Sequence, residues 1–89
     1  MVPKKRTIER VQTGVRMEKR MVKVLKGLAE YLDISLGDLM EGLVLHAFEA
    51  KAPPFGKEQL RVIKDLKRVY GLELTAKDSH KLVEADGTR

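Results

Sequence analysis

The chain has 89 residues and a net charge of +5, and it contains no cysteine. A chain of this length forms one small domain and buries a modest fraction of its surface unless it oligomerises. Without cysteine, neither a disulfide framework nor a thiolate metal site can add stability. The basic N-terminus is not followed by an apolar stretch of signal-peptide or membrane-spanning length, so we expect a cytoplasmic protein without a membrane segment.

The positive charge is concentrated at the start of the chain. The first 26 residues hold nine Lys or Arg against two Glu, a net charge of +7, whereas the remaining 63 residues have a net charge of −2. A basic segment of this kind displaces counterions from phosphates. We interpret residues 1–9 as a flexible basic arm and assign phosphate contacts to Lys4, Lys5, Arg6 and Arg10. The alternative is a solvated face with a disordered tail.

Residues 10–17 alternate between polar and apolar side chains, which is typical of a short β-strand. The apolar face, predicted to enter a dimer core, consists of Val11, Thr13, Val15 and Met17. The polar face consists of Arg10, Gln12, Gly14 and Arg16. A lone strand cannot satisfy its own backbone N–H and C=O groups, and no later segment offers a partner. We therefore predict that it pairs with the same strand of a second copy.

Two amphipathic helices are predicted after the strand. Apolar residues spaced by threes and fours predict one helix over about residues 18–32 and a second over about 35–50. Ser35 is the expected N-cap of the second helix, with Asp38 at the N3 position of a capping box. The helical part of the predicted dimer core consists of Leu25, Leu28, Leu32, Leu39, Leu43 and Val44. The second helix is apolar over a wide face, which again favours a second subunit.

Residues 10–50 resemble the ribbon-helix-helix family of MetJ/Arc/CopG-type repressors. The resemblance rests on an alternating strand that runs directly into a helix, on the turn Asp33-Ile34-Ser35, and on a second helix with an apolar stripe. It implies a mainly α ribbon-helix-helix dimer. In that family two strands pair as an antiparallel ribbon, which enters the major groove of operator DNA.

The resemblance also implies which residues contact DNA. By position it assigns base contacts to Gln12, Gly14 and Arg16. It assigns phosphate contacts, through backbone amides at the start of the second helix, to Ser35, Leu36 and Gly37. The chemistry fits for Arg16, which can donate to guanine O6 and N7, and for Gln12, which can pair with adenine.

These assignments have open alternatives. Gly14 has no side chain to offer a base, although it would allow a close backbone approach. A helix N-terminus favours an anion, but Ser at this place commonly serves as a structural cap alone. Gln12 and Arg16 have the further alternative of an ordinary exposed face.

The sequence changes character after Ala50. Pro53 and Pro54 end the second helix and predict a stiff linker over residues 51–56. A third amphipathic helix is predicted from Glu58 to Tyr70, with Gly71 as its C-cap.

The remaining residues predict less structure. Thr75 and Asp78 are spaced as a capping box for a short helix that includes Leu82 and Val83, before a polar tail. Residues 57–89 thus form a C-terminal helical extension. This extension is expected to pack on the dimer or to bind another protein.

The sequence holds no arrangement typical of catalysis. The only histidines are His46 and His80. Ser79 directly precedes His80, but neighbours in sequence do not face one another on a helix, and no metal-ligand cluster is present, so we predict no enzyme activity, no metal and no cofactor. We predict a homodimeric, sequence-specific DNA-binding transcriptional regulator, acting as a repressor. Related alternatives are a plasmid copy-number or partition regulator, or an antitoxin whose residues 57–70 bind the toxin. An alternative of another class is a helical protein-interaction module without sequence-specific DNA binding.

Overall fold

The computed structural model describes residues 6–85, whose α-helices lie close to the bounds that the apolar spacing predicts. They are α1 (Lys19–Leu32), α2 (Leu36–Phe48) and α3 (Lys57–Tyr70), and a single 3₁₀ turn follows at Ala76–Asp78. The protein is therefore mainly α. Within the described part of the chain, no helix is both long and apolar enough to cross a membrane.

The predicted β-strand over residues 10–17 is wrong. Residues 6–18 have no regular secondary structure, and residues 6–85 contain no strand at all. This finding also overturns the predicted ribbon-helix-helix fold, which requires that strand. The physical reason is that strand pairing needs a second backbone for the N–H and C=O groups, and an alternating pattern does not supply one. The side chains of the predicted apolar strand face are all exposed: Val11, Thr13, Val15 and Met17.

Hydrogen bonds to residues close in sequence define both ends of α1. Glu18 is the N-cap, and its carboxylate accepts a hydrogen bond from the Met21 backbone N–H at 2.9 Å. The Arg20 side chain donates to the same carboxylate at 2.9 Å, and these bonds lower the pKa of Glu18. At the other end Asp33 adopts a left-handed conformation (φ 59°), and its N–H donates to the Glu30 carbonyl at 3.1 Å. The helix therefore stops at this point, and the chain turns into α2.

Helices α1 and α3 pack antiparallel. Near the end of α1 the Tyr31 hydroxyl donates to the Glu58 carboxylate at the start of α3, at 3.2 Å. At the start of α1, Arg20 Nη1 donates to the carbonyl of Gly71 at 2.9 Å. Gly71 ends α3 in a left-handed conformation (φ 69°), as predicted for its C-cap. These two hydrogen bonds tie opposite ends of the helix pair together.

The core between the helices is small. The buried apolar side chains of the described residues are Val24, Leu28, Ala29 and Leu39. Partly buried side chains from all three helices and the linker pack against this cluster: Leu25, Leu32, Leu43, Phe55, Val62, Ile63 and Leu66. Gly27 lies at the α1–α3 contact, where an added Cβ would come within 3.0 Å of a Leu66 methyl group. Helix α3 is thus part of the same core as the first two helices.

Helix α2 is only partly covered by the rest of the chain. Ser35 caps it, as predicted, because the hydroxyl accepts a hydrogen bond from the Asp38 N–H at 3.1 Å. The Asp38 carboxylate, which a capping box would direct to Ser35, contacts Arg10 instead. Leu39 is the buried residue of α2, whereas three large apolar side chains farther along are exposed: Val44, Leu45 and Phe48.

The segment after α3 is less helical than predicted. The predicted capping box is present, since the Thr75 N–H donates to the Asp78 carboxylate at 2.8 Å. The helix nevertheless lasts one turn, and Leu82 and Val83 lie outside any helix. Ser79 has a ψ of 137°, which is an extended and not a helical value. The chain therefore cannot continue the helical hydrogen bonds between each carbonyl and the N–H four residues later.

Candidate nucleic-acid interface

Residues 6–18, which we call the N-terminal segment, lie on the surface ahead of α1. All of them are exposed except Glu18, which is partly buried. Together with the first two turns of α1, they hold seven Lys or Arg and two Glu, so residues 6–26 carry a net charge of +5. This is the most basic stretch of the described chain. It presents donor side chains to solvent without a covering element.

The three predicted base-contacting residues lie along this exposed segment. Gln12 and Gly14 are exposed, and a Cβ added at Gly14 would have no neighbour within 4 Å. The Arg16 guanidinium is also on the surface, but it forms an ion pair with the carboxylate of Glu84 near the end of the described chain. A base or phosphate that approaches Arg16 would therefore compete with this carboxylate.

Arg10, predicted to contact phosphate, is bound to two carboxylates of α2. Its Nε and Nη2 atoms donate to the two Glu41 oxygens, each at 2.8 Å, and Nη2 also lies 3.1 Å from Asp38 Oδ1. The hydrogen bond from Arg10 is the main reason that the pKa of Glu41 is lowered, and the same contact raises the pKa of Arg10. The guanidinium therefore has an intramolecular partner of opposite charge, and we call this three-residue contact the Arg10 clamp.

The predicted phosphate site at the start of α2 is built around a structural cap. Ser35 and Gly37 are exposed and Leu36 is partly buried. A helix N-terminus attracts anions through its free N–H groups and dipole. Here the Ser35 hydroxyl already accepts a hydrogen bond from one of those N–H groups, that of Asp38. The Asp38 carboxylate, which would repel an anion, also lies in the first turn. The assignment of a phosphate to this terminus stays a prediction.

The predicted basic arm is described only in part. Arg6 is exposed. Lys4 and Lys5 lie outside the described residues, so their predicted phosphate contacts stay predictions.

The basic residues at the start of α1 include two with contacts that the sequence analysis missed. Arg20 bridges Glu18 and the Gly71 carbonyl, as described above. The Lys23 ammonium lies 5.7 Å from the centre of the Tyr70 ring, within the range of a cation–π contact. Gly71 and Tyr70 are far from α1 in sequence, so no local pattern indicated these pairs. Lys19 and Lys26 are exposed on the same helix.

An exposed apolar surface borders the N-terminal segment. Val44, Leu45 and Phe48, which we call the α2 outer face, are 42%, 62% and 80% exposed. A shallow groove of about 330 Å³ runs between this face and Ile8, and its other lining residues are Met40 and Glu41. The basic segment and the apolar face therefore lie side by side.

The predicted dimer core divides into two groups in the single chain. Its helical members, apart from Val44, are wholly or partly buried within the chain: Leu25, Leu28, Leu32, Leu39 and Leu43. Helix α3 supplies much of their packing. Val44 and the predicted strand residues stay on the surface.

Comparison with known proteins identifies no relative. The chain matches no protein-family model, no curated protein and no solved structure. Among residues 6–85, no group of three or more His, Asp or Glu side chains is placed to hold a metal ion.

Proposed function

We propose that this protein is a homodimeric, sequence-specific DNA-binding regulator, acting as a repressor, whose N-terminal segment contacts the DNA. The observation that carries the proposal is the exposure of a basic segment with suitable base-reading side chains. Gln12 and Arg16 can form paired hydrogen bonds with adenine and guanine edges, respectively. No helix of the described residues covers the segment, and the carboxylate of Glu84 has to leave before Arg16 can meet a base.

The charge distribution supports nucleic acid as the partner. A net charge of +5 over residues 6–26 contrasts with a net charge of −2 over residues 27–89. Neutralising phosphates releases condensed counterions, which gives affinity that falls steeply with salt. Two copies in one assembly would double the basic surface.

The apolar surface supports a second copy as the other partner. Each large apolar side chain removed from water contributes about 1.5 to 3 kcal/mol. The α2 outer face offers three such side chains next to the N-terminal segment. A dimer formed through this face would place two basic segments on one scaffold, so that each could contact one half of a repeated DNA site.

The test begins with selection of duplexes from a random-sequence pool by the full-length protein. We expect recovery of a repeated or palindromic sequence, bound far more tightly than random duplex and with a steep salt dependence. Equal affinity for selected and random duplexes would contradict the proposal.

A single substitution then tests the reading residue. Arg16→Ala should weaken binding to the selected duplex by about 1 to 3 kcal/mol and relax discrimination at one base pair. Arg61→Ala is the matched control, because Arg61 pairs with Glu58 and Asp65 on α3. Equal losses on selected and random duplexes for Arg16→Ala would overturn its role in base recognition.

The α2 outer face favours one second candidate, a helical protein-interaction module. Phe48 at 80% exposure is a typical anchor for a partner protein. This candidate predicts binding of DNA without sequence preference, or none, in the same selection. The antitoxin alternative has less support, because Val62, Ile63 and Leu66 of α3 already pack on the core of the chain.

A further inference from the structure

We propose that Arg10 is a positioning residue that fixes the N-terminal segment on α2, rather than a phosphate contact; this inference rests on the proposed function. The guanidinium meets two carboxylates that are three residues apart on α2. Three hydrogen bonds of 2.8 to 3.1 Å engage both Nε and Nη2. A fork of this kind holds a guanidinium in a defined orientation as well as at a defined distance.

A second contact accompanies the clamp. Ile8, two residues before Arg10, borders the groove formed by Met40, Val44 and Leu45 of α2. Its side chain stays 58% exposed, so this apolar contact is made at the rim of the groove. One polar and one apolar anchor therefore fix the beginning of the segment, and Gln12 and Arg16 follow directly.

The local charge argues against a phosphate at Arg10. Asp38 and Glu41 together carry two negative charges against the single positive charge of Arg10, so the clamp has a net charge of −1. If a phosphate bound the Arg10 guanidinium in place of Asp38 and Glu41, these two neighbouring carboxylates would lose their cation. The phosphate would also have to approach those carboxylates. The clamp is thus suited to orient the segment, while other basic residues neutralise DNA.

Glu41→Gln separates the two roles because they predict opposite signs. If Arg10 positions the segment, the loosened clamp should weaken binding to the selected duplex by roughly twofold to fivefold, the range of exposed ion pairs. If Arg10 contacts phosphate, its release from Glu41 should tighten binding. The matched control is Glu49→Gln, which removes an equal charge from the residue after α2, where Glu49 pairs with Lys51. Binding of Glu41→Gln as tight as that of this control would overturn the proposal.

A charge exchange gives the second test. Arg10→Glu should weaken binding, and the double variant Arg10→Glu with Glu41→Arg should restore part of it, because the ion pair between positions 10 and 41 is rebuilt with its charges reversed while Asp38 is unchanged. A phosphate contact would not be restored, since position 10 would still carry a carboxylate. Failure of the double variant to recover any affinity, with helical circular dichroism unchanged, would overturn the proposal.

The salt dependence of binding gives a third readout. Arg10→Ala should leave the slope of log K against log salt unchanged, whereas loss of a phosphate contact would reduce its magnitude by about 0.9. A reduction of that size would overturn the proposal.

The clamp can also be tested in the free protein. In NMR spectra, the nuclear Overhauser effects between the Ile8 methyl groups and α2 should be lost in Glu41→Gln and kept in Glu49→Gln. Persistence of these contacts in both variants would overturn the clamp. Because this measurement needs no DNA, it distinguishes failure of the clamp from failure of the proposed function, which would appear as absence of sequence-selective binding by the wild type.

Discussion

At the scale of single residues, the ion pair between Arg16 and Glu84 links the proposed reading residue to the end of the described chain. Both side chains are largely in solvent, with 73% and 48% exposure. Such pairs contribute little stability, so DNA can displace the carboxylate at a small cost. The cost still appears in the DNA affinity, because Glu84 has to leave before Arg16 can meet a base.

Removal of this competitor should strengthen DNA binding. We expect Glu84→Gln to raise affinity for the selected duplex by roughly twofold to fivefold, measured by fluorescence anisotropy at fixed salt. Glu73→Gln is the control, because it removes an equal charge from another exposed position. An equal gain in both variants would mean that overall charge, and not the pair with Arg16, sets the effect.

Acid should open the Arg10 clamp. The hydrogen bond from Arg10 lowers the pKa of Glu41 below its ordinary value of about 4.3. A carboxyl group whose pKa is lower in the folded protein contributes stability above the ordinary pKa, and that contribution is lost as pH falls through the lowered value. The Ile8 methyl signals, followed by NMR from pH 6 downward, should therefore shift only at pH values below the ordinary pKa of a glutamate side chain. In Glu41→Gln this shift should be absent, and an identical titration in that variant would contradict the assignment.

The residues that the sequence predicted correctly act on close neighbours in the chain. Ser35 caps α2, Gly71 ends α3, and Thr75 pairs with Asp78, all within a few residues. The partners of Arg10 lie 28 and 31 residues away. No local pattern indicates such a pair, so the sequence around Arg10 predicts a phosphate contact from its charge and not its partners on α2.

At the scale of elements, the helices were predictable and the strand was not. An α-helix satisfies its backbone within itself, so apolar spacing and caps are enough to indicate α1, α2 and α3. A strand depends on a second backbone, and residues 10–17 find none within the described chain. The candidate base-reading residues therefore stay a prediction, while the strand predicted to carry them is absent from the described residues.

The contact between α1 and α3 should be sensitive to volume at Gly27. A Cβ there would lie 3.0 Å from a Leu66 methyl group, so the branched side chain of Gly27→Val should force the helices apart. We expect a loss of about 1 to 3 kcal/mol in the free energy of unfolding, measured by urea denaturation.

The control for this substitution lies on α2. Gly42→Val should change stability little, because an added Cβ at Gly42 would have no neighbour within 4 Å. Equal stability of the Gly27 and Gly42 variants would show that α3 does not pack on α1 as described.

At the scale of the whole molecule, the chain is extended for its length. Its radius of gyration is 15.0 Å, against about 12 Å for a compact chain of this size. The small buried core is surrounded by partly covered side chains, and the α2 outer face is open. Small domains of this kind are marginally stable alone, which makes a second copy the physically expected source of further burial.

The decisive substitution for the dimer is Leu45→Lys, which places a charge in the middle of the α2 outer face. Leu45 is 62% exposed in the single chain, so a lysine there should be tolerated by the fold but not by an apolar interface. We expect sedimentation to find the wild type as a dimer and Leu45→Lys as a folded single chain, with unchanged helical circular dichroism. Leu60→Lys is the matched control, because Leu60 is a similarly exposed leucine on α3, at 54%. If the dimer survives Leu45→Lys but is lost in Leu60→Lys, the interface lies on α3 and not on α2. The expected spacing of the two N-terminal segments on DNA would then change as well.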